Sequence, residues 1–139
     1  SDEDELTESF VYSWGQQSGL RDSTIQKLYQ EGFRGREEVK RLTKRLIRKM
    51  KRLKLSEVEL LRRSVEQLKL EDEFVISWCK VHDLSSHVSK SLLKSRIHSE
   101  KDVATMNRDT IHEMNLSNAD QIHLQEAVTV TKLRYGQHY

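Results

Sequence analysis

The sequence predicts an all-α protein built from a repeated unit. The 139 residues contain no proline, and the five glycines leave long uninterrupted runs, which favours helices. Two stretches match closely, FVYSWGQQSGL at 10–20 and FVISWCKVHDL at 74–84, and together they hold both tryptophans of the chain at a spacing of 64 residues. A third of the residues is charged and 35% is hydrophobic, as in a folded soluble protein. We therefore expect one helical unit in two copies.

The match extends over nearly the whole chain. Nine positions recur at an offset of 64, and after one residue is dropped beyond Met50 five more recur at an offset of 63. Almost all of them are apolar, which indicates that the two copies share a core pattern: Phe10, Val11, Ser13, Trp14, Leu20, Leu28, Val39, Ile47, Met50, then Leu53, Leu61, Val65, Lys69 and Leu70. The predicted organisation is an acidic leader at 1–6, a first domain at 7–70, a second domain at 71–133 and a tail at 134–139.

The first helix of each unit should carry the core aromatic residues. Over residues 7–18, the i, i+1, i+4 spacing places Phe10, Val11 and Trp14 on one face. A tryptophan that shares its helix face with such neighbours is more often a core residue than a ligand-binding one. The predicted structural core residues of the two first helices are Phe10, Trp14, Phe74 and Trp78.

Polar residues predict where the later helices begin. Ser23 followed by Gln26 fits a capping box, which would start the second helix. Thr43 and its counterpart Asn107 are suitable N-caps for a short fourth helix. Similar signals open the final helix of each unit: the capping box Ser56-Glu57-Val58-Glu59, and Asn118 with Gln121. This gives about five helices in each unit.

One long helix from about Arg36 to Leu70 is the alternative, because the apolar residues there keep a helical spacing. The matching segment of the second unit, EKDVATMNRDTIHEMNLSNAD, is rich in Asn, Thr, Ser and Asp, which compete for backbone hydrogen bonds and favour caps. Since one fold should serve both copies, we expect broken helices. The join at 68–73, LKLEDE, contains no glycine or proline, so the last helix of the first unit is expected to run nearly straight into the second unit, as a short helical linker.

These motifs resemble the sterile alpha motif (SAM), a five-helix domain. The resemblance covers a VxxW…L pattern, then LTKRLIRKM or MNRDTIHEMNL, then a long closing amphipathic helix. It implies two tandem five-helix SAM-like bundles that bind proteins and self-associate, sometimes as open polymers. The sequence departs from the family at Gly15 and Cys79, where a leucine is usual, and at Lys51 and Asn115, where a glycine usually precedes the last helix. Death-fold domains are the rival, but they need six helices and a longer unit.

No catalytic or metal site is expected. None of the six histidines has the i, i+4 spacing of a helical metal pair, and CxxC, HExxH, GxSxG and glycine-rich phosphate motifs do not occur. Cys79 is interpreted as a small core filler rather than a nucleophile. The chain is therefore predicted not to be an enzyme and to need no cofactor. A single cysteine favours a reducing compartment, and with no transmembrane segment or signal peptide in the sequence we expect a cytoplasmic location.

The run KRLTKRLIRKMKRLK at 40–54 carries nine bases and no acid, and three interpretations compete for it. It could be a protein-binding surface, it could bind RNA, other nucleic acid or anionic lipid, or it could be a solvated face that complements the acidic leader. We favour the first, with protein partners that include other copies of the chain. Its predicted basic surface is Arg48, Lys51, Arg52 and Lys54, facing an acidic surface of Asp102, Asp109 and Glu113.

Overall fold

A computed structural model describes the backbone of residues 1–138 and the side chains of residues 1–136. The prediction of an all-α fold is confirmed, since the described residues form ten α-helices and no strand. The helices are α1 (Asp2–Glu8), α2 (Phe10–Gln17), α3 (Asp22–Gln30), α4 (Arg36–Lys40), α5 (Lys44–Lys49), α6 (Leu55–Val81), α7 (Ser86–Lys94), α8 (Glu100–Ala104), α9 (Arg108–Glu113) and α10 (Asn118–His138). No helix in the described part of the chain is both long enough and apolar enough to cross a membrane.

The helix bounds follow the sequence repeat. Helices α3, α4 and α5 each begin and end 64 residues before α7, α8 and α9. Helix α10 begins 63 residues after α6, as expected if the first copy has one extra residue before its last helix. The alternative of one helix over 36–70 is wrong, because α4 ends at Lys40 and α5 ends at Lys49. Across the join the chain is helical, since α6 is continuous from Leu55 to Val81.

Left-handed backbone positions also recur at the same offsets. Each ends a helix or precedes one, and the pairs are Gly19 (φ 81°) with Asp83 (φ 54°), Gly32 (φ 95°) with Arg96 (φ 63°), and Arg52 (φ 68°) with Asn115 (φ 54°). In the first copy the left-handed residue is Arg52 rather than Lys51, because the extra residue lengthens that turn by one position.

The chain divides into two compact units, unit 1 over Ser1–Lys69 and unit 2 from Leu70 onward, and each has its own core. Trp14 and Trp78 are both 8% exposed, and Phe10 and Phe74 are half-buried against the cores of units 1 and 2 respectively. The most deeply buried side chains of unit 1 are Val11, Ile25, Leu28, Val39, Ile47 and Leu61, and those of unit 2 are Val75, Val88, Leu92, Val103, Leu124 and Val128.

The acidic leader is a helix rather than an appended segment. The Ser1 hydroxyl accepts a hydrogen bond from the Asp4 N–H at 3.3 Å and caps α1, and Leu6 packs against the unit 1 core. A single first helix over 7–18 is therefore wrong: Ser9 has extended backbone, and its hydroxyl accepts from the Tyr12 N–H to start α2. The tail predicted at 134–139 is also helical as far as His138, and residue 139 lies outside the described residues.

Two predicted caps are confirmed. The Thr43 hydroxyl accepts from the Leu46 N–H at 3.2 Å, and the Asn107 side-chain oxygen accepts from the Thr110 N–H at 2.9 Å. For α10 the prediction is off by one residue, because the hydroxyl that accepts from the Asp120 N–H belongs to Ser117. Short helices with a polar residue just before them are thus well marked in this sequence.

The capping boxes predicted at Ser23 and Ser56 are wrong, because α3 and α6 each begin one residue before the serine. Helix α3 begins at Asp22 after Arg21, which gives no side-chain cap. Instead, Glu57 Oε1 accepts from the Arg21 N–H at 2.8 Å and from the Thr24 hydroxyl at 2.7 Å. Since α6 already begins at Leu55, Glu57 lies within the first turn of α6 and is buried against the start of α3.

Candidate interaction surfaces

The predicted basic residues lie where α5 ends and α6 begins. Arg48 is on α5, Lys51 and Arg52 are in the turn, and Lys54 comes directly before α6. All four are exposed. On α5 only Ile47 is buried, which leaves Arg48 on the solvent-facing side of this short helix. We call these four residues the basic cluster. The Lys51 carbonyl accepts a hydrogen bond from Lys27 Nζ, which adds a fifth cation beside the cluster.

The basic cluster is unpaired. Among the residues that the structure describes, none of its four side chains takes part in an ion pair. In particular, no ion pair joins it to the acids of α1, where Asp4 is bound by the N-terminal amine of Ser1 at 3.6 Å. The positive potential of the basic cluster is therefore not neutralised by an ion pair with the acids of α1.

Two leucines beside the basic cluster are exposed, which the sequence did not predict. Leu55, the first residue of α6, is 84% exposed, and Leu46 on α5 is 38% exposed. Their counterparts in unit 2 are Asn118 and Thr110. The sequence shows that Leu46 is apolar, but helical spacing alone places it on the same face as the buried Ile47 and so does not predict its exposure. At this position of the repeat, unit 1 therefore presents both charge and apolar area, and unit 2 has polar residues instead.

The acidic surface is smaller than predicted. Asp109 and Glu113 are exposed and lie one turn apart on α9. Asp102 is half-buried on α8 and is already engaged, since its Oδ2 accepts from the His98 N–H at 3.2 Å and lies 3.3 Å from His98 Nδ1. Asp102 thus holds the loop before α8 in place, and only Asp109 and Glu113 remain available to a partner.

Cys79 is the one thiol of the chain, and its histidines, aspartates and glutamates are the possible metal ligands. No three His, Cys, Asp or Glu side chains within the described residues come together as a metal site. Cys79 is 4% exposed, and burial raises the pKa of its thiol to about 11, so the thiol stays protonated at neutral pH. Cys79 occupies the position that corresponds to Gly15 in unit 1. A Cβ added at Gly15 would lie 2.6 Å from Ile25 Cγ1, whereas the residue of unit 2 that corresponds to Ile25 is the smaller Ser89.

No protein-family model, curated protein or solved structure matches this chain. The geometry of its own surfaces is therefore what supports a functional assignment.

Proposed function

We propose that this chain is a non-catalytic protein-interaction module of the tandem SAM type, which joins protein partners, including copies of itself, through the basic cluster. The observation that carries the proposal is that four exposed, unpaired cations lie beside two exposed leucines, Leu46 on α5 and Leu55 at the start of α6. Cations set the orientation and speed of association, and apolar residues at the centre supply binding energy.

The SAM assignment is supported by the order of elements in each unit. Between the tryptophan-bearing helix and the long last helix, each unit places three short helices, α3–α5 or α7–α9, and each has a left-handed residue in the turn before the last helix, Arg52 or Asn115. Unit 1 has a sixth helix, α1, but α1 has no separate counterpart in the second copy, so the repeat itself contains five helices and death-fold domains fit less well. We place the module in the cytoplasm, since a single cysteine, buried and without a disulfide partner, suits a reducing compartment.

The complementary face in our proposal is the acid pair on α9 of a second copy. Asp109 and Glu113 are exposed, and they belong to unit 2 whereas the basic cluster belongs to unit 1. Contacts between unlike faces of successive copies do not close on themselves unless the rotation is favourable, so they generate open chains. Scaffolding by self-association is the role that follows from this pairing.

Binding of RNA, other nucleic acid or anionic lipid through residues 40–54 is the second candidate. It is favoured by the nine bases of that run. Against nucleic acid, the run contains no aromatic residue on which a base could stack, and the exposed Leu46 and Leu55 would gain nothing from phosphate contacts.

Charge reversal tests the proposal. The double variant Lys51→Glu, Arg52→Glu should abolish association measured by sedimentation velocity, and adding Asp109→Lys with Glu113→Lys should restore part of it, because the interaction is pairwise. Lys90→Glu with Lys94→Glu is the matched control, as these two exposed cations lie on α7, away from the acid pair in sequence. Association that survives the first reversal, or that the control abolishes equally, contradicts the proposal.

Leu55→Ser separates the two candidates. Loss of an 84% exposed leucine should weaken protein association and leave any binding to RNA unchanged, because phosphates are held by the cations alone. Submicromolar binding to RNA at physiological salt, together with no protein association, would favour the second candidate.

A further inference from the structure

Unit 2 contains a surface groove of about 270 Å³ that lies beside its tryptophan. One wall comes from the C-terminal part of α6, with Phe74, Trp78 and Val81. A carboxylate from α8, Glu100, and a guanidinium from α10, Arg134, also line it. The groove therefore combines an aromatic wall with one charge of each sign, which is the composition of a site for a polar or charged side chain rather than for an apolar one.

The aromatic wall is held rigidly. Trp78 Nε1 donates to the Thr131 hydroxyl at 3.0 Å, and that hydroxyl donates to the Ala127 carbonyl at 2.9 Å. The His82 ring lies 4.9 Å from Trp78, centroid to centroid. Burial, and secondarily the charge of Arg134, lower the pKa of His82, so its ring is uncharged at neutral pH. Glu100 is exposed, and among the described residues it has no ion-pair partner.

In unit 1, an arginine of the same chain lies over the phenylalanine that corresponds to Phe74. There the first residue of α4 is Arg36, and its Cζ lies 5.3 Å from the centre of the Phe10 ring. At the 64-residue offset, Phe10 corresponds to Phe74 and Arg36 corresponds to Glu100. Unit 2 thus keeps the aromatic ring and has the carboxylate of Glu100 where unit 1 has Arg36, while the cation of its groove, Arg134, comes from α10.

We propose that this groove of unit 2 binds an arginine side chain presented by a protein partner. The guanidinium lies over Phe74, as Arg36 lies over Phe10, and Glu100 accepts its N–H groups. Arginine suits the site better than lysine because its planar group stacks on a ring and donates two parallel hydrogen bonds to one carboxylate. Arg134 lines the same groove, and its charge opposes that of the guest guanidinium, so it limits the affinity of the site. The basic cluster takes no part, so this site and the proposed function can fail separately.

The probe for this site is acetyl-arginine amide, added to the full chain and followed by ¹H–¹⁵N NMR. The chain has two indole N–H signals, and Trp14 of unit 1 serves as an internal control for Trp78. We expect a saturable shift of the Trp78 signal only. Acetyl-citrulline amide, which keeps the shape of arginine but has no charge, should produce no saturable shift.

Three variants test which charges of the groove control binding of the arginine probe. Glu100→Gln removes the carboxylate from an exposed position and should weaken binding of the arginine probe by about tenfold. Arg134→Gln removes the competing cation and should leave binding equal or tighter. A third, Glu100→Arg, recreates the arrangement of unit 1 and should prevent the probe from shifting Trp78.

Several outcomes would overturn the inference. These are equal shifts of Trp14 and Trp78, equal binding of arginine and citrulline probes, unchanged affinity in Glu100→Gln, or a loss of binding in Arg134→Gln. Glu100 is exposed, so its variants are expected to fold. Folding is checked by the chemical shift of the Trp78 indole N–H in the free variant, since that group donates to Thr131 only in the folded protein.

Discussion

Removing the Glu57 carboxylate should destabilise unit 1 strongly. Glu57 is 7% exposed and accepts both the Arg21 N–H and the Thr24 hydroxyl, and Thr24 is 1% exposed. A hydrogen bond to a charged group contributes about 1.5–3 kcal/mol to stability, and a buried donor left without an acceptor costs further free energy because it has lost its hydration. Glu57→Ala leaves two such donors without a protein acceptor, so we expect a loss of about 3 kcal/mol or more. That is a large part of the stability of a small domain.

Glu57→Gln tests how much of this loss comes from charge. Its amide oxygen can still accept from one or both donors, so the loss should fall to about 1–2 kcal/mol. Unfolding in urea can be followed through Trp14 in a Trp78→Phe background, in which the remaining tryptophan belongs to unit 1.

The matched control is Glu59→Ala. Glu59 lies two residues further along α6, is exposed, and pairs with Arg62 on the same helix, which lowers the pKa of its carboxyl. Exposed pairs of this kind contribute little to stability, so the control should shift the urea midpoint only slightly. Equal midpoints for Glu57→Ala and Glu59→Ala would refute the reasoning, because they would show that the buried contacts to α3 do not stabilise unit 1.

Three further predictions follow from buried groups. Gly15→Ala should cost about 1–3 kcal/mol through the clash with Ile25 Cγ1, and the cost should disappear in an Ile25→Ala background; additive losses in urea unfolding would contradict this. Cys79 should resist iodoacetamide at pH 8 in the native protein and react in urea, unlike a thiol with an ordinary pKa. Because the folded-state pKa of His82 lies below its ordinary value of 6.5, the unfolded chain takes up the proton more readily, so stability should fall as pH drops below that value; Arg134→Gln should reduce the fall, and an unchanged thermal midpoint from pH 7 to pH 5 would contradict the lowered pKa.

The fold was largely predictable because the signals for it are local or repeated. Apolar positions that recur at a fixed offset mark the core, and Trp14 and Trp78 lie in their two hydrophobic cores. Thr43 and Asn107 cap helices that begin at the very next residue, so sequence neighbours alone determine those starts. The break of the helical pattern near residues 41–43 and 50–54 was visible only by comparing the two copies.

The failed predictions concern contacts between residues far apart in the sequence. The start of α3 is held by Glu57, 36 residues after Arg21, and no local pattern indicates such a partner. Similarly, the engagement of Asp102 by His98 depends on how the loop before α8 folds back. Exposure of Leu55 depends on where α6 begins. The groove of unit 2 did leave a signal, the exchange of Arg36 for Glu100 at matched positions, but its meaning required the position of the Phe10 ring.

The central claim, that the basic cluster binds protein and supports self-association, is tested most directly by the mass of the chain in solution. Sedimentation equilibrium over a wide concentration range, at low and at high salt, measures it. The account predicts a mass that rises with concentration above the 16.4 kDa of one chain, and a rise that high salt suppresses because charges steer the contact. A constant mass of one chain at every concentration and at low salt would contradict it.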